Sequence, residues 1–297
     1  MPTIDLPLSR LQEVEGFYEG DKTDLVPPYA LAFYKGEGFT LTIYLKKEAV
    51  RLYFQGPKAN QEAAIWGEVK ETPSKKSAKA FRLLYPMGGS DEVGTGSFFG
   101  GIAVAAALVA KEDLPYLKEL GITDSKEMGD EAILQRVPLL VKRLPYAYSY
   151  LTPEKYNEVH DKYNMNAIKA KMHNAVLLSL LKDHPGAHLY IDQFIPEDSY
   201  YRYLNNEKEV ARDIVFSIKG EKAFPAVAAG SCIARYCFLK RMEKMDALYG
   251  VHFPQGAGSE VLDFARTFLA SRPEAAKLTC KLNFKTYEQA LMNPILP

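Results

Sequence analysis

The sequence predicts an α/β protein, a central sheet flanked by helices, with a small α+β domain in front of it. Three observations predict this. From about residue 81 apolar strand patterns alternate with helical periods, the order expected when helices cover a sheet. Residues 1–68 instead hold three short aromatic and β-branched runs close together, then one helical pattern. Between them Lys70-Glu71-Thr72-Pro73-Ser74-Lys75-Lys76-Ser77-Ala78-Lys79 is polar, basic and interrupted by proline, the composition of a linker. The expected division is therefore a domain at 1–69, a basic linker at 70–80 and a second domain at 81–297.

In the first domain, strands are expected at 29–34, 39–44 and 50–54. Gly36-Glu37-Gly38 and Lys46-Lys47-Glu48 supply the turns, and a helix at 61–69 follows Gly56-Pro57. In the second, the small apolar run 98–110 fits a strand buried on both faces. Helical periods follow at 112–120 and 124–143, then a short strand at 147–151. A helical region at 153–182 has a break near Asn164. Strands at 188–192 and 213–219 precede a helix at 225–247 that Pro225 opens. Helices at 259–270 and 286–292 complete the pattern.

Composition narrows the function. The 297 residues carry 37 basic and 37 acidic side chains, so no global positive field draws in nucleic acid, and any polyanion must be met by local patches. No stretch approaches the length of apolar sequence that spans a bilayer, and no secretory signal pattern is visible. Cys232, Cys237 and Cys280 have neither metal-ligand spacing nor an even count for disulfides. The expectation is a cytoplasmic, reduced protein with no membrane partner, and a monomer. The five histidines have no cysteine or carboxylate neighbours at zinc-site spacing, so all are expected to be structural or exposed. Ser231 lacks the context of a nucleophile elbow.

The chemistry concentrates in Gly88-Gly89-Ser90-Asp91-Glu92-Val93-Gly94-Thr95-Gly96-Ser97. Along a strand Asp91 and Glu92 point to opposite faces, so only a bend or an uneven surface lets both reach one site. The glycines allow a bend and a close backbone approach. Two adjacent carboxylates repel unless a cation sits between them, which suggests a divalent metal. A bare Asp-Glu before glycines is more often a polar strand end; the other acids change the balance. Asp192 follows the apolar Leu189-Tyr190-Ile191, where a lone acid is costly. Glu221 stands just before the Pro225 helix, near the positive end of its dipole. Ligands gather at strand ends in such sheets, and four converging acids suit two-metal phosphoryl transfer.

Gly89-Ser90-Asp91-Glu92-Val93-Gly94-Thr95-Gly96 resembles the signature of the type 2 ribonucleases H, with Thr95 characteristic of the HIII branch. The strings Ile122-Thr123-Asp124-Ser125-Lys126, Asn164-Met165-Asn166, Ile191-Asp192-Gln193-Phe194 and Lys219-Gly220-Glu221-Lys222, then Pro225 to Ser231, follow in the family's order. Lys281-Leu282-Asn283-Phe284-Lys285-Thr286 is similar to its basic C-terminal string, and Phe54-Gln55-Gly56-Pro57 to its extra N-terminal domain. The chain departs from the family at Ser97-Phe98-Phe99-Gly100-Gly101, Gly230 and Cys232.

The resemblance implies a ribonuclease H-like domain with a mixed sheet and a TATA-binding-protein-like N-terminal domain that grips substrate. It implies an endonuclease that cuts the RNA strand of RNA–DNA hybrids with two Mg2+ or Mn2+ ions, leaving 5′-phosphate and 3′-hydroxyl ends. Asp91, Glu92, Asp192 and Glu221 take the catalytic and metal-binding places. Gly94, Thr95, Gly96, Lys126 and Ser231 take substrate-binding places, and Tyr34, Tyr44, Tyr53 and Phe54 are candidates to stack on bases. The alternatives are a ribonuclease HII-like enzyme nicking at single ribonucleotides in duplex DNA, disfavoured by Thr95, and a non-catalytic hybrid-binding protein.

Overall fold

The computed structural model describes residues 2–46, 49–67, 83–122 and 128–292. The expected linker at 70–80, the helix segment beyond Gly67 and the candidate Lys126 lie outside the described residues. The chain divides into two compact units, Met1–Phe81 and Arg82–Pro297.

The first unit runs β1 (Thr3–Pro7), α1 (Leu11–Phe17), β2 (Ala32–Gly36), β3 (Phe39–Leu45), β4 (Ala49–Gln55) and α2 (Ala59–Trp66), with antiparallel strand order β1-β4-β3-β2. Alternation decides which aromatics are available. Along β4, Val50, Leu52 and Phe54 are buried while Arg51, Tyr53 and Gln55 stand on the opposite face. Phe54 and Tyr34 are fully buried among Tyr18, Leu41 and Trp66, so they are core residues rather than stacking groups. Tyr44 and Tyr53 remain half-buried. The expected strand at 29–34 begins later, because Tyr29 has a left-handed backbone (φ 68°) and is almost wholly exposed. β1 and α1 were not expected; Pro2 and Pro7 bracket a strand too short and too polar to stand out.

The second unit runs β5 (Met87–Val93), β6 (Ile102–Val109), α3 (Leu114–Glu119), α4 (Asp130–Arg143), β7 (Tyr146–Leu151), α5 (Pro153–His160) and α6 (Met165–Asp183). It continues with β8 (His188–Asp192), α7 (Glu197–Tyr203), β9 (Ile214–Ser217), α8 (Gly220–Ala223), α9 (Pro225–Tyr249), α10 (Ser259–Ser271), α11 (Ala276–Thr279) and α12 (Lys285–Met292). The strand order is β7-β6-β5-β8-β9; β7, β6 and β5 are antiparallel neighbours, and β5, β8 and β9 are parallel. All of β6 is buried. Ala103, Ala105 and Ala107 enter the core shared with α4, α9 and α10, while Val104, Ala106 and Leu108 enter the core shared with α6.

Two boundaries differ from expectation for physical reasons. The apolar run 98–110 is a strand only from Ile102, since Gly100 turns the chain with a φ of +78° and Phe98 and Phe99 are buried in a turn. The run 213–219 is a strand only at Ile214–Ser217, because Asp213 (φ 56°) and Lys219 (φ 60°) are left-handed on either side. The break at Asn164 is present: its side chain accepts from the Ala167 amide at 2.9 Å and caps α6. Pro225 is the first residue of α9, and left-handed Gly250 ends it.

α9 crosses β5 closely. A Cβ on Gly230 would stand 2.8 Å from the Gly89 carbonyl oxygen, and one on Gly89 would collide with the Val227 amide. Gly89→Ala is therefore expected to destabilise the protein by about 1–3 kcal/mol, the usual cost of overpacking, and to displace Asp91 two residues on. Urea unfolding checks this; an unchanged midpoint would mean that the helix yields freely.

Candidate active site

β5, β8 and β9 point the same way, so their C-terminal ends lie side by side. Ser90 pairs with Ile191 and Asp192 with Ser217 across the parallel ladders, which sets Asp91 beside Asp192 at the sheet's edge. A cleft of about 430 Å³ opens there. Asp91, Glu92, Asp192, Gly94, Thr95, Ser231 and Arg235 are among its lining residues.

Asp91 and Glu92 do leave β5 on opposite faces. Asp91 turns toward α9, where the Ser231 hydroxyl hydrogen-bonds it, and its Oδ1 accepts from the Glu92 amide at 2.7 Å. Glu92 turns toward α6. Its Oε1 pairs with Lys169, and its Oε2 accepts from His173 Nε2 at 2.9 Å. The cleft at the strand end reaches both faces, so no bend within β5 is needed.

The two carboxyls are held in contrasting states. Burial and the negative charge of Glu92 push Asp91 up to about 7, with Asp192 adding to the repulsion. Burial also raises Glu92, but hydrogen bonds and charge from His173 and Lys169 outweigh it, leaving that carboxyl below its ordinary value. Asp192 Oδ1 accepts from the Gly220 amide at 2.8 Å. Glu221 follows Gly220 directly and is 2 % exposed, but it is not among the residues lining the cleft.

The structure thus brings together Asp91, Glu92, Asp192, Gly94, Thr95 and Ser231. Glu221 stands next to this group, and Gly96 lies outside the lining. Gly94 is required as glycine: its φ is +98°, and a Cβ would meet the Phe238 ring at 2.8 Å. Among the described residues no three His, Cys, Asp or Glu side chains are already grouped as metal ligands. The donor set still fits a hard divalent cation. Asp91, Glu92 and Asp192 all line one cleft, and beside burial the negative charge of Glu92 and Asp192 that raises Asp91 is what a cation would relieve.

Lys169, His173 and Phe194 were not among the expected site residues; His173, expected to be structural or exposed, is structural and its partner is a cleft carboxylate. His173 is fully buried, and its Nδ1 shares a 2.8 Å hydrogen bond with Ser90 Oγ. Phe194 lies under both partners of Glu92, 3.9 Å from the Lys169 ammonium and stacked on His173 at 5.3 Å. The available signal was a lysine and a histidine four residues apart, on one face of a helix rich in Ala, Ile, Val and Leu, where each buried polar group must find a partner. Arg235 was also missed; it forms a bidentate pair with Asp130 at 2.9 and 3.0 Å at the cleft wall. Lys169→Met or His173→Phe is expected to cut turnover about 10–100-fold, the range for groups that support a metal ligand. Steady-state rates at saturating substrate check this, and full turnover in both variants would contradict it.

The chain is similar to known proteins over nearly its whole length. The family model described as Ribonuclease HII matches residues 88–287, and a domain of unknown function (DUF3378) matches residues 3–79. A Ribonuclease HIII of Geobacillus sp. (strain WCH70) is 38% identical over 97% of this chain and 96% of its own. A Ribonuclease HIII of Bacillus velezensis (strain FZB42) is 36% identical with the same coverage. The crystal structure of Bst-RNase HIII in complex with Mn2+ superposes with a TM-score of 0.69 at 34% identity, covering 98% of each chain. With its Asp-Glu strand end, its mixed sheet and these relatives, the chain belongs to the ribonuclease HII family of ribonucleases H, on the ribonuclease HIII side.

Proposed function

We propose that the protein is a hybrid-specific endoribonuclease that cuts the RNA strand of RNA–DNA duplexes, acting as a monomer with two Mg2+ or Mn2+ ions. The observation that carries this reading is the convergence of Asp91, Glu92 and Asp192 on one cleft, with Asp91 kept from ionising fully until about pH 7. Asp91, Glu92 and Asp192 would hold the ions, with Glu221 behind them. The chemistry such ions supply is an attacking water of lowered pKa and charge neutralisation at the departing 3′ oxygen, giving 5′-phosphate and 3′-hydroxyl ends.

The chain's own residues set the stage for that step. Ser231 orients the Asp91 carboxylate. Lys169 and His173 hold Glu92 against α6, fixing where its oxygens lie. Gly94 and Thr95 offer backbone groups at the cleft, where a 2′-hydroxyl can be read and RNA told from DNA. Thr95 between the glycines supports hybrid cleavage over nicking at a lone ribonucleotide. On the N-terminal unit, the face carrying Arg51, Tyr53 and Tyr44 is the surface we assign to gripping substrate.

A panel of end-labelled substrates tests the reading. The RNA strand of a full hybrid is expected to be cut, and a DNA duplex with one embedded ribonucleotide spared. Efficient nicking at the lone ribonucleotide would move the protein to the HII activity, and metal-dependent binding without cutting would overturn the enzyme reading.

A further inference from the structure

Lys281 lies just after α11 and is fully buried. Its ammonium donates to the carbonyl oxygens of Ser97 at 2.6 Å and Gly100 at 2.7 Å, and the rings of Tyr156 and Phe284 lie 5.8 and 5.7 Å away. Burial pushes its pKa down to about 7, opposed only by the Cys280 thiol, and no carboxylate among the described residues contributes. Removing an ammonium from water is unfavourable, and a methionine could fill the same space without that cost. Packing alone therefore gives no reason for a lysine here.

The two carbonyls belong to the turn that leaves β5 directly after Asp91 and Glu92. Its first residues, Gly94 and Thr95, line the cleft. Its second half is tied to the C-terminal part of the chain. Phe98 donates to the Gly256 carbonyl at 2.7 Å, Gly100 to that of Thr279 at 2.8 Å, and the Lys281 amide to that of Phe98 at 3.0 Å. The Gly256 amide donates to Ser97 Oγ at 3.1 Å. Gly94 and Gly100 both have left-handed backbones, so the turn has two points at which it could swing. Lys281 grips the stretch between them from below.

We propose that Lys281 is the positioning residue of this turn: by holding the Ser97 and Gly100 carbonyls it fixes where Gly94 and Thr95 meet the substrate, and so governs binding of the hybrid more than cleavage of the bond. What the turn touches rests on the hybrid-cleaving reading; the latch itself does not.

Two variants and two readouts test the assignment. Lys281→Met keeps length and burial but removes the donors, whereas Lys281→Gln keeps a shorter donor. In Lys281→Met, amide hydrogen exchange at Ser97 and Gly100 should accelerate about tenfold or more relative to the wild type, with amides of β6 unchanged. KM for the hybrid should rise about tenfold while kcat stays within about twofold, the pattern of lost binding in ground and transition states alike. Lys281→Gln should fall between the two in both readouts; if Lys281→Met does not fold, Lys281→Gln against wild type gives the same reading at smaller size. Unchanged exchange in the turn, unchanged KM, or a glutamine variant worse than the methionine would overturn the proposal. Should the wild type leave hybrids uncut, the functional reading fails, and the exchange comparison still decides the latch.

Discussion

Asp91→Asn is expected to abolish cleavage, by at least about 10³-fold, beyond the 10–100-fold typical of residues that only support a metal ligand. The same variant should melt no lower than the wild type in the absence of metal. The wild-type carboxyl is buried and repelled by Glu92 and Asp192, which is why its pKa stands near 7. A neutral amide of equal size removes that repulsion and can still accept from the Glu92 amide. In a chain of this size each kcal/mol so gained raises Tm by about 2–4 °C. Calorimetric melting beside a cleavage assay separates the two effects. A large drop in Tm would mean that Asp91 serves the fold, and residual activity near wild type would remove it from the chemistry.

Removing divalent cations with a chelator should abolish activity, with recovery on adding Mg2+ or Mn2+, and the pH dependence of the metal-free protein has a definite sign. Asp91 binds its proton up to about pH 7 when folded but only to its ordinary 3.8 when unfolded. Between these values the folded state holds the extra proton, so Asp91's contribution to stability is full at low pH and is lost as pH rises through about 7. Glu92 acts in the opposite sense: its contribution is present above its ordinary 4.5 and lost as pH falls below it. Of this pair, Asp91 therefore sets the slope near neutrality. Cation binding requires the ionised carboxylate, so the rise in Tm produced by Mn2+ should grow with pH up to about 7 and level off above it. A metal-induced shift independent of pH between about 5 and 8 would contradict the assignment of Asp91 as a ligand.

The parts of this site that were legible in the sequence share one physical property: local pattern dictated them. Asp192 closes an apolar strand, and Asp91 and Glu92 stand near the end of a strand that runs into Gly94 and Gly96, so their place at one end of a sheet could be anticipated before any tertiary contact was known. The opposed directions of Asp91 and Glu92 followed from alternation alone. Lys169 and His173 did not yield to such reasoning, because nothing near them in sequence is their partner; Glu92 reaches them only once α6 packs across the sheet. Lys281 was visible in the sequence only as part of a basic C-terminal string; its two carbonyl partners, more than 180 residues earlier, were not. Phe98 and Phe99 misled because apolar character is shared by strands and by tightly packed turns, and only the left-handed Gly100 distinguishes them. In the N-terminal sheet, Tyr34 and Phe54 differ from Tyr44 and Tyr53 in the face of their own strand that they occupy, which the strand pattern fixes but residue type does not.

The most direct test of the site is calorimetric titration of the full-length protein with Mn2+ at pH 6, chosen to lie below the raised pKa of Asp91, in buffers of differing ionisation enthalpy. Binding is expected to release a proton in the wild type, and both binding and proton release should be lost in Asp91→Asn. Equal Mn2+ affinity in the wild type and in Asp91→Asn would contradict this expectation and place the metal, and the chemistry, elsewhere.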